Sequence, residues 1–545
     1  MASLLSKRYR NHRSPVHDVQ LVLVFVLLVL LTVPKYATAQ AITETPETTN
    51  TSSSQYCEIQ FLDAETDRPI PLITATTTHG VRYVSDNQGR IAYYEPGHDG
   101  QTVFFELETH GYRVPVDGFG TKGVRVKIKA GASRTIRLRR DNIAERLYRN
   151  TGADLLRDSI LLEKTSEVPS SPAKSGVVGQ DSVQVAKFQN QLYWFWGDTS
   201  RLSYPLGMFR TAGATSPLPE QASWSPDQGI ELTYFENESG FVRPMVKFDD
   251  PEGVVWIEGV CVVKDHKETE KLVASFSQRR DLANEIAHGM LTFDSEEQVF
   301  RRTTSLSKNQ RWQLLKNHPV QVNTDGKEWL YSGIPIPVTR VPASYESVMN
   351  PNAYESWSCI DTSSDSEKPQ PRRNQKGKLD WQWQNSPPVN SQMESEWLEN
   401  GQITANEAWY LPEDAYKPGR RIRLHTGSVY WNEFRGQWVM IASEFSTRPN
   451  APSHLGEIWY SEALRPEGPY KHAIKILTHH RQSFYNSCQH PFLSEDSGRV
   501  IYFEGTYTNM FTSAPATPRY NYNQIMYRLD LQDPQIENVF GPPAG

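Results

Sequence analysis

Carboxylate and imidazole side chains recur at two kinds of position in this 545-residue chain, from about residue 176 onward. They stand at the start of one short apolar run or at the end of the next: Asp181, Glu258, His318, His425 and His490 at starts, and Asp198, Glu444 and Glu504 at ends. Two carboxyl groups in different environments can serve as the acid and the base of a hydrolysis. Imidazoles can hydrogen bond to hydroxyl groups, or help to hold an ion or a water molecule. Any one of these residues alone is more often structural, so they can form a functional site only if the fold brings several of them together.

The segments that carry these residues share one layout. A polar residue precedes a short strand, a turn and a second strand rich in Trp, Tyr, Val and Ile, at residues 181–198, 258–277, 318–333, 426–444 and 490–505. Further strand-like runs follow, so each unit has room for about four strands. Units of this kind repeated five times indicate a five-bladed β-propeller. A generic array of β-sandwiches is the alternative, and the similarity among the segments favours the propeller.

Propeller geometry explains how such distant residues could form one site. The first strand of each blade starts, and the second strand ends, at the same face of the disc beside the central channel. A ligand cleft is expected at that face. Trp196, Trp256 and Trp431 are placed near it, where they could stack on sugar rings or pack in the core.

The region before the propeller has a different pattern. Short alternating apolar runs between 55 and 140 predict a small antiparallel β-sandwich. Asp-Arg-Pro-Ile-Pro at 67–71 and Ser-Asp-Asn-Gln-Gly-Arg at 85–90 resemble the carboxypeptidase regulatory-like (transthyretin-like) sandwich. A connector at 141–175, with helical composition from Asn142 to Tyr148, leads to the propeller at 176–545. A polar insert at about 361–415 interrupts it, with helix-like spacing between Met393 and Trp409.

The first residues carry an export signal. Basic residues precede an apolar run at 21–33, and Ala37-Thr38-Ala39 matches a small-residue cleavage site. The run is shorter than the ~20 residues that span a bilayer, which favours a signal peptide at 1–39 over an uncleaved membrane anchor. Both alternatives place the protein outside the cytoplasm, as a secreted, periplasmic or cell-surface protein. The Thr/Ser-rich stretch at 40–54 is predicted to be a disordered linker.

Composition and missing motifs narrow the function. A net charge of −6 over 545 residues gives no indication of a nucleic-acid partner. The four cysteines are far apart in sequence, which favours buried free thiols over a disulfide scaffold. The chain has no G-x-S-x-G elbow, H-E-x-x-H motif, P-loop or dinucleotide fingerprint.

Two phrases in the propeller region carry a second resemblance. The first segment ends in Trp-Gly-Asp at 196–198, and IWYSEALRPEGPY stands at 458–470. Both are similar to phrases of the five-bladed propeller glycosidases, that is, the arabinanase/xylosidase group and the related invertase clan. The resemblance implies an all-β fold, a carbohydrate substrate, and hydrolysis by paired carboxylates, with inversion as the default. It requires no cofactor, although some propeller glycosidases hold a calcium ion in the channel, so a channel calcium is allowed here.

The resemblance also assigns roles to individual residues. Asp181 matches the base or nucleophile of the first blade. The group's other carboxylates have no counterpart at the expected starts, so Glu258 becomes the candidate acid, with Glu444 in reserve. Asp198, Trp196, His318, His425, His490 and Glu504 are then candidates for substrate contacts. The alternative function is a secreted propeller that binds a glycan or a protein in the same cleft without turnover.

Overall fold

A computed structural model of the chain describes residues 55–164, 175–204, 210–248, 252–281, 283–364 and 368–543. The predicted signal peptide (1–39) and linker (40–54) lie outside these ranges. Among the described residues, no helix has both the length and the apolar character needed to cross a membrane.

Residues 57–140 form two four-stranded sheets, with strand orders β4-β1-β8-β6 and β3-β2-β5-β7. Apolar side chains on alternate positions of both sheets, such as Ile59, Phe61, Phe105 and Leu107, form one shared core. This is a small β-sandwich. Its strands are β1 (Cys57–Asp63), β2 (Thr74–Thr77), β3 (Arg82–Val84), β4 (Arg90–Tyr93), β5 (Thr102–Glu108), β6 (Tyr112–Arg113), β7 (Gly123–Lys127) and β8 (Ser133–Arg140).

The predicted helical segment at 142–148 is wrong. Residues 145–149 form strand β9 (Glu145–Arg149), all of whose side chains are buried. β9 pairs antiparallel with the last strand of the chain, with Ile525 opposite Arg149 and Arg528 opposite Glu145. The short helix α1 (Arg157–Leu161) follows it. Long-range pairing has overridden a weak local preference for helix.

The rest of the described chain forms five mainly antiparallel sheets, named I to V in chain order, and a short β10–β13 pair. Sheet I has the order β11-β12-β14-β15, sheet II β17-β18-β19-β20-β16, sheet III β21-β22-β23-β24-β25, sheet IV β27-β28-β29-β30-β26, and sheet V β31-β32-β33-β9. The strands are β10 (Val177–Gln180), β11 (Gln184–Phe188), β12 (Gln191–Trp196), β13 (Thr199–Arg201), β14 (Ala212–Ser216), β15 (Thr233–Tyr234), β16 (Val246–Lys247), β17 (Val254–Lys264), β18 (Glu270–Arg279), β19 (Glu285–Asp294), β20 (Val299–Ser305), β21 (Val320–Thr324), β22 (Lys327–Ser332), β23 (Thr339–Pro342), β24 (Glu355–Ser358), β25 (Gln382–Gln384), β26 (Glu413–Asp414), β27 (Leu424–Asn432), β28 (Gln437–Glu444), β29 (Glu457–Ala463), β30 (His472–Thr478), β31 (Ser483–Gln489), β32 (Val500–Thr508) and β33 (Asn523–Asp530).

Hydrogen bonds join the first strands of the five sheets into a closed ring. The Val260 amide donates to Gln184 Oε1 (3.4 Å), which links sheets I and II. The remaining links are Gly259 N to Asn317 O (2.9 Å), Asn317 Nδ2 to Gly427 O, Asn486 N to Thr426 Oγ1 (3.0 Å) and Asn486 Nδ2 to Ser182 Oγ (2.6 Å). Sheets arranged in this way around an axis form a β-propeller, so the predicted fold class is confirmed.

The predicted insert at 361–415 is more structured than its polar composition suggested. Bridges between Ile360 and Pro371 and between Arg373 and Leu379 order its first part, and 382–384 extend sheet III as β25. Helix-like spacing from Met393 onward corresponds to α3, which starts slightly earlier. The helices after α1 are α2 (Tyr345–Val348), α3 (Ser391–Glu399) and α4 (Pro534–Phe540).

The fifth predicted segment starts in the wrong place. It put a first strand at His490, whereas the first strand of sheet V is β31, which ends at Gln489. Residues 491–493 and 496–498 form two 3₁₀ turns that lead into β32. His490 therefore follows the last residue of β31, at the opposite end of this first strand from its start at Ser483.

Candidate active site

A cleft of about 580 Å³ opens at the ends of the sheets where the first strands begin. We name it the mouth cleft. It is lined by Asp181, Ser182, Gln184, Gly197, Asp198, Trp256, Ile257, Glu258, Ser277, Arg279, Arg311, Asn317, Ile334, His425, Thr426, Phe445, His454, Leu455, Tyr485, Asn486, Met510, Phe511 and Tyr522.

Local backbone irregularities aim side chains into the cleft. The first strands of sheets II, IV and V each contain a register shift, at Glu258/Cys261, Leu424/Gly427 and Tyr485/Cys488. A bulge of this kind redirects a side chain and often stands beside a functional site. Residues with left-handed backbone follow four of the cleft-side positions: Ser182 (φ 57), Gly259 (φ 66), Asn317 (φ 53) and Asn486 (φ 52). The residues just before them are Asp181, Glu258, Lys316 and Tyr485.

Asp181 is the most strongly perturbed carboxyl group of the cleft. Its Oδ1 accepts the backbone N–H of Asp198 (2.9 Å), and its Oδ2 accepts the hydroxyl of Tyr485 (2.9 Å). Burial, and then the negative charge of Asp198, raise the pKa of Asp181 to about 7, although hydrogen bonds from Tyr485 and Tyr522 oppose the shift. Asp181 therefore carries a proton for much of the time near neutral pH.

Gly197 is required for this arrangement. A Cβ atom at position 197 would lie 2.3 Å from Oδ1 of Asp181, which is closer than any side chain tolerates. The Trp-Gly-Asp sequence thus has a physical explanation: the glycine lets the carboxyl group approach the backbone of the second strand.

Asp198 lies beside Asp181 and is held by the indole of Trp256, which donates to Oδ1 (3.0 Å). Burial raises the pKa of Asp198, and the indole hydrogen bond works against that shift. The guanidinium of Arg279 stands 5.6 Å from the ring centre of Trp256. Trp256 is therefore held from two sides, with part of its ring exposed to the cleft.

Glu258, on sheet II, is in the opposite electrostatic environment. Its Oε1 is 2.7 Å from the ammonium of Lys316, and its Oε2 accepts the backbone N–H of Asn317 (3.2 Å). About a third of the side chain (35%) remains exposed. An ion pair with an ammonium group requires the carboxylate to be ionised.

Aromatic and apolar side chains form another wall of the cleft. The ring of His425 stacks on Phe445, and His454 meets Phe445 edge-on at 4.5 Å. Burial lowers the pKa of His425, so its imidazole is neutral near pH 7. Ile334 (48% exposed) and Phe511 (56% exposed) stand at the rim. A mixture of neutral hydrogen-bonding groups and apolar surfaces suits a ligand that has both hydroxyl and C–H faces.

The structure brings four of the sequence-predicted residues to the cleft, namely Asp181, Glu258, Asp198 and His425. It places the other five outside: Trp196, His318, His490, Glu504 and Glu444. These five residues therefore do not line the mouth, contrary to the expectation.

Three of them belong to buried polar contacts in the interior. His490 Nε2 lies 2.9 Å from Glu504 Oε1, and both side chains are fully buried. Glu504 Oε2 also accepts Asn150 Nδ2 (3.2 Å). The Nδ1 of His318, which is also buried, lies 3.4 Å from the thiol of Cys488. The sequence pattern places His490 and Glu504 at the mouth because it puts the start of sheet V at His490, whereas β31 begins at Ser483.

The remaining two have structural partners of other kinds. Trp196 is buried and stacks on Trp194 with the rings 10° from parallel. Glu444 accepts two hydrogen bonds from Arg420 (2.8 and 2.7 Å) and one from the indole of Trp459 (3.0 Å). Trp431 stands at the far end of β27, away from the mouth.

Sequence reasoning missed three residues that shape the cleft: Tyr485, Tyr522 and Lys316. Tyr485 and Lys316 occupy the same structural position as Asp181 and Glu258, immediately before a left-handed residue. A search confined to carboxylates and histidines could not select them. Tyr485 also lies before the start of the fifth predicted segment at 490.

In the described part of the chain, no group of three or more His, Cys, Asp or Glu side chains is arranged to hold a metal ion. All four cysteines are buried and free. The channel calcium allowed by the resemblance remains a prediction.

No family model matches the chain, and no curated protein matches it. Solved structures with a similar arrangement include an exo-β-1,3-galactanase from Phanerochaete chrysosporium with β-1,3-galactotriose (10% identity, 73% of this chain and 66% of that chain, TM-score 0.33). They also include an arabinanase from Bacillus subtilis (10% identity, 64% and 93%, TM-score 0.29) and a GH43_1 enzyme from Xanthomonas citri with xylotriose (9% identity, 67% and 89%, TM-score 0.32). Because these similarities are distant, they assign no function to this chain.

Proposed function

We propose that the protein is an exported glycoside hydrolase that cleaves an oligosaccharide or polysaccharide in the mouth cleft. One observation carries the proposal: two carboxyl groups from different sheets, Asp181 and Glu258, line the same open cleft in opposite environments. Glycoside hydrolysis needs such a pair, one protonated and one ionised. Export rests on the N-terminal apolar run of the sequence.

The environments favour roles that reverse those expected from the sequence. Asp181, with its pKa raised to about 7, is suited to protonate the glycosidic oxygen as the bond to the anomeric carbon breaks. Glu258 is suited to accept a proton from the water that attacks that carbon. The hydrolysis is then balanced, with one proton passing from Asp181 to the leaving group and one from water to Glu258. Attack by water on the opposite face would invert the configuration.

The cleft also offers contacts for the sugar itself. Trp256, Phe445 and Phe511 present ring surfaces, and carbohydrates expose C–H faces that pack on such rings. Neutral His425 can hydrogen bond to hydroxyl groups without an ionic cost.

One observation favours the alternative of binding without turnover. Both oxygens of Glu258 already have partners, Lys316 and the backbone of Asn317, so the carboxylate must retain a free lone pair to act as a base. If no lone pair of Glu258 is free, the same residues would bind a glycan without cleaving it.

A glycan panel tests the proposal. The wild-type chain and an Asp181→Asn/Glu258→Gln double variant are incubated with arabinan, xylan and β-1,3-galactan, and with a trisaccharide of each, and new reducing ends are measured. We expect the wild type to release reducing ends from at least one substrate and the double variant to release none. Binding by calorimetry without release would favour the alternative, and neither binding nor release would contradict both.

A second prediction concerns Gly197. Replacement by Ala should push the Asp181 carboxyl group out of position, and a displacement of ~1 Å in a catalytic group lowers kcat by about 10²-fold. Circular dichroism should show that the variant is folded. Gly118→Ala is the matched control, because a Cβ at position 118 meets nothing within 4 Å. Full activity in Gly197→Ala would show that the contact with Asp181 is unimportant.

A further inference from the structure

The mouth cleft is the first of three cavities that follow one another over the surface. The second, of about 360 Å³, shares His454 and Phe511 with the mouth cleft. The third, of about 820 Å³, shares Arg481 with the second. Cavities that share wall residues adjoin one another, and we call this series of three the groove; it leads from the mouth cleft, which Asp181 lines, to the sandwich.

The floor of the groove is held in shape by hydrogen bonds. Asn509 Nδ2 donates to Ala514 O (3.1 Å), and Ser483 Oγ donates to Met510 O (2.7 Å), which anchors the loop at 509–517. Gln482 Nε2 donates to Pro515 O (3.1 Å), and the Arg481 amide donates to Pro452 O (2.9 Å). The groove is therefore preformed, which lowers the entropic cost of binding a long ligand.

The third cavity is built by both the sandwich and the propeller. His110 of the sandwich lies 3.0 Å from the hydroxyl of Tyr507 in sheet V, and Thr109 Oγ1 accepts Arg146 Nη2 (2.9 Å). Burial lowers the pKa of His110 well below its usual value, so the ring is neutral. Val116 (57% exposed) adds an apolar surface to this wall. This wall thus combines a neutral imidazole and an apolar surface with charged side chains such as Arg82, Glu106 and Arg113.

We propose that the groove binds one polysaccharide chain along its length, with the bond to be cleaved in the mouth cleft and a remote stretch of the chain between sandwich and propeller. The inference rests on the proposed function and specifies its substrate class as a polymer, with short oligosaccharides as poor substrates. Binding energy from such remote contacts raises kcat/KM for long substrates alone. The sandwich then contributes directly to substrate recognition.

Two tryptophan substitutions on one loop test this. Ser513 is exposed and lines the second cavity, so Ser513→Trp should block the groove midway. Ala516 is exposed on the same loop and lines none of the three cavities, so Ala516→Trp is the matched control. The readout is kcat/KM for the cleaved polysaccharide of the panel and for its trisaccharide. Ser513→Trp should lower kcat/KM on the polymer by about tenfold and leave the trisaccharide unchanged, as expected when remote binding is lost.

The outcomes separate the groove from the catalytic proposal. Equal kcat/KM for polymer and trisaccharide, or equal effects of the two substitutions, would overturn the groove and leave hydrolysis intact. If no glycan is cleaved, calorimetry with the same polysaccharides decides: binding that Ser513→Trp weakens supports the groove alone, and binding that it leaves unchanged, or no binding, overturns it. If Ser513→Trp fails to fold, Arg481→Asn takes its place with the same expectation, because Asn tolerates the φ of 69° at that position.

Discussion

Replacing Asp181 with Asn should lower kcat on the cleaved glycan by about 10²–10⁴-fold, the usual contribution of a general acid. The amide keeps the shape of the side chain and can still accept the Asp198 N–H at 2.9 Å, but its N–H groups are not acidic enough to protonate a leaving group. Substrate binding should change little, so KM is a useful second readout. A variant with near wild-type kcat would remove Asp181 from the mechanism.

The pH profile adds an independent check on the role of Asp181. An acid is active in its protonated form, so kcat/KM should fall as the pH rises through about 7, where the pKa of Asp181 lies. Asp198→Asn removes the neighbouring negative charge that helps to raise this pKa, so the alkaline limb should move to lower pH. If the limb stays in place in Asp198→Asn, the charge of Asp198 does not set it. A base with this pKa would show the opposite limb.

The second large effect is expected on stability. Arg420→Met should lower the free energy of unfolding by ~3–5 kcal/mol, the cost of leaving a buried charge without its partner. Arg420 bonds both oxygens of Glu444 and also Asp414 (2.8 Å), and all three side chains are largely buried. The variant leaves buried Asp414 without its cation, whereas Glu444 keeps the half-exposed Arg448 at 3.2 Å. Urea denaturation followed by circular dichroism measures the change.

A surface ion pair of the same type is the control for Arg420→Met. Arg499 and Asp530 lie 2.9 Å apart with side chains 40% and 37% exposed. Arg499→Met should therefore lower the free energy of unfolding much less than Arg420→Met does, because exposed ion pairs contribute little. Similar losses in the two variants would mean that burial does not decide the value of these pairs, which would contradict the structural role given to Glu444.

The propeller could be predicted because each repeat can be recognised in a short stretch of sequence, from its alternating apolar residues and its turns. The register of sheet V could not, because His490 stands before an apolar run just as His318 does, and only tertiary pairing shows that the run at 491–493 is a turn. The same applies to β9, whose composition favours a helix and whose place is set by a partner almost 400 residues away.

The candidate site could be predicted only in part, because contacts between sheets position some of its residues. Asp198 belongs to the Trp-Gly-Asp motif and Asp181 opens the first segment, so residue type together with position was enough to select them. Lys316 and Tyr485 each precede a left-handed residue, and Tyr485 also stands at a bulge; these features arise only when neighbouring sheets meet. The roles of Asp181 and Glu258 could not be predicted from the sequence either. They depend on the burial of Asp181 and on the ion pair between Glu258 and Lys316.

β9 has a consequence for how the molecule is made. It leaves the ribosome directly after the sandwich, yet its partner β33 is synthesised near the end of the chain. Sheet V therefore cannot be completed until β33 is made, and β9 stays without its strand partner until then. A fragment expressed from residue 176 would lack β9, so the edge of β33 would stay unpaired. Recombinant work on the propeller therefore has to begin upstream of Glu145.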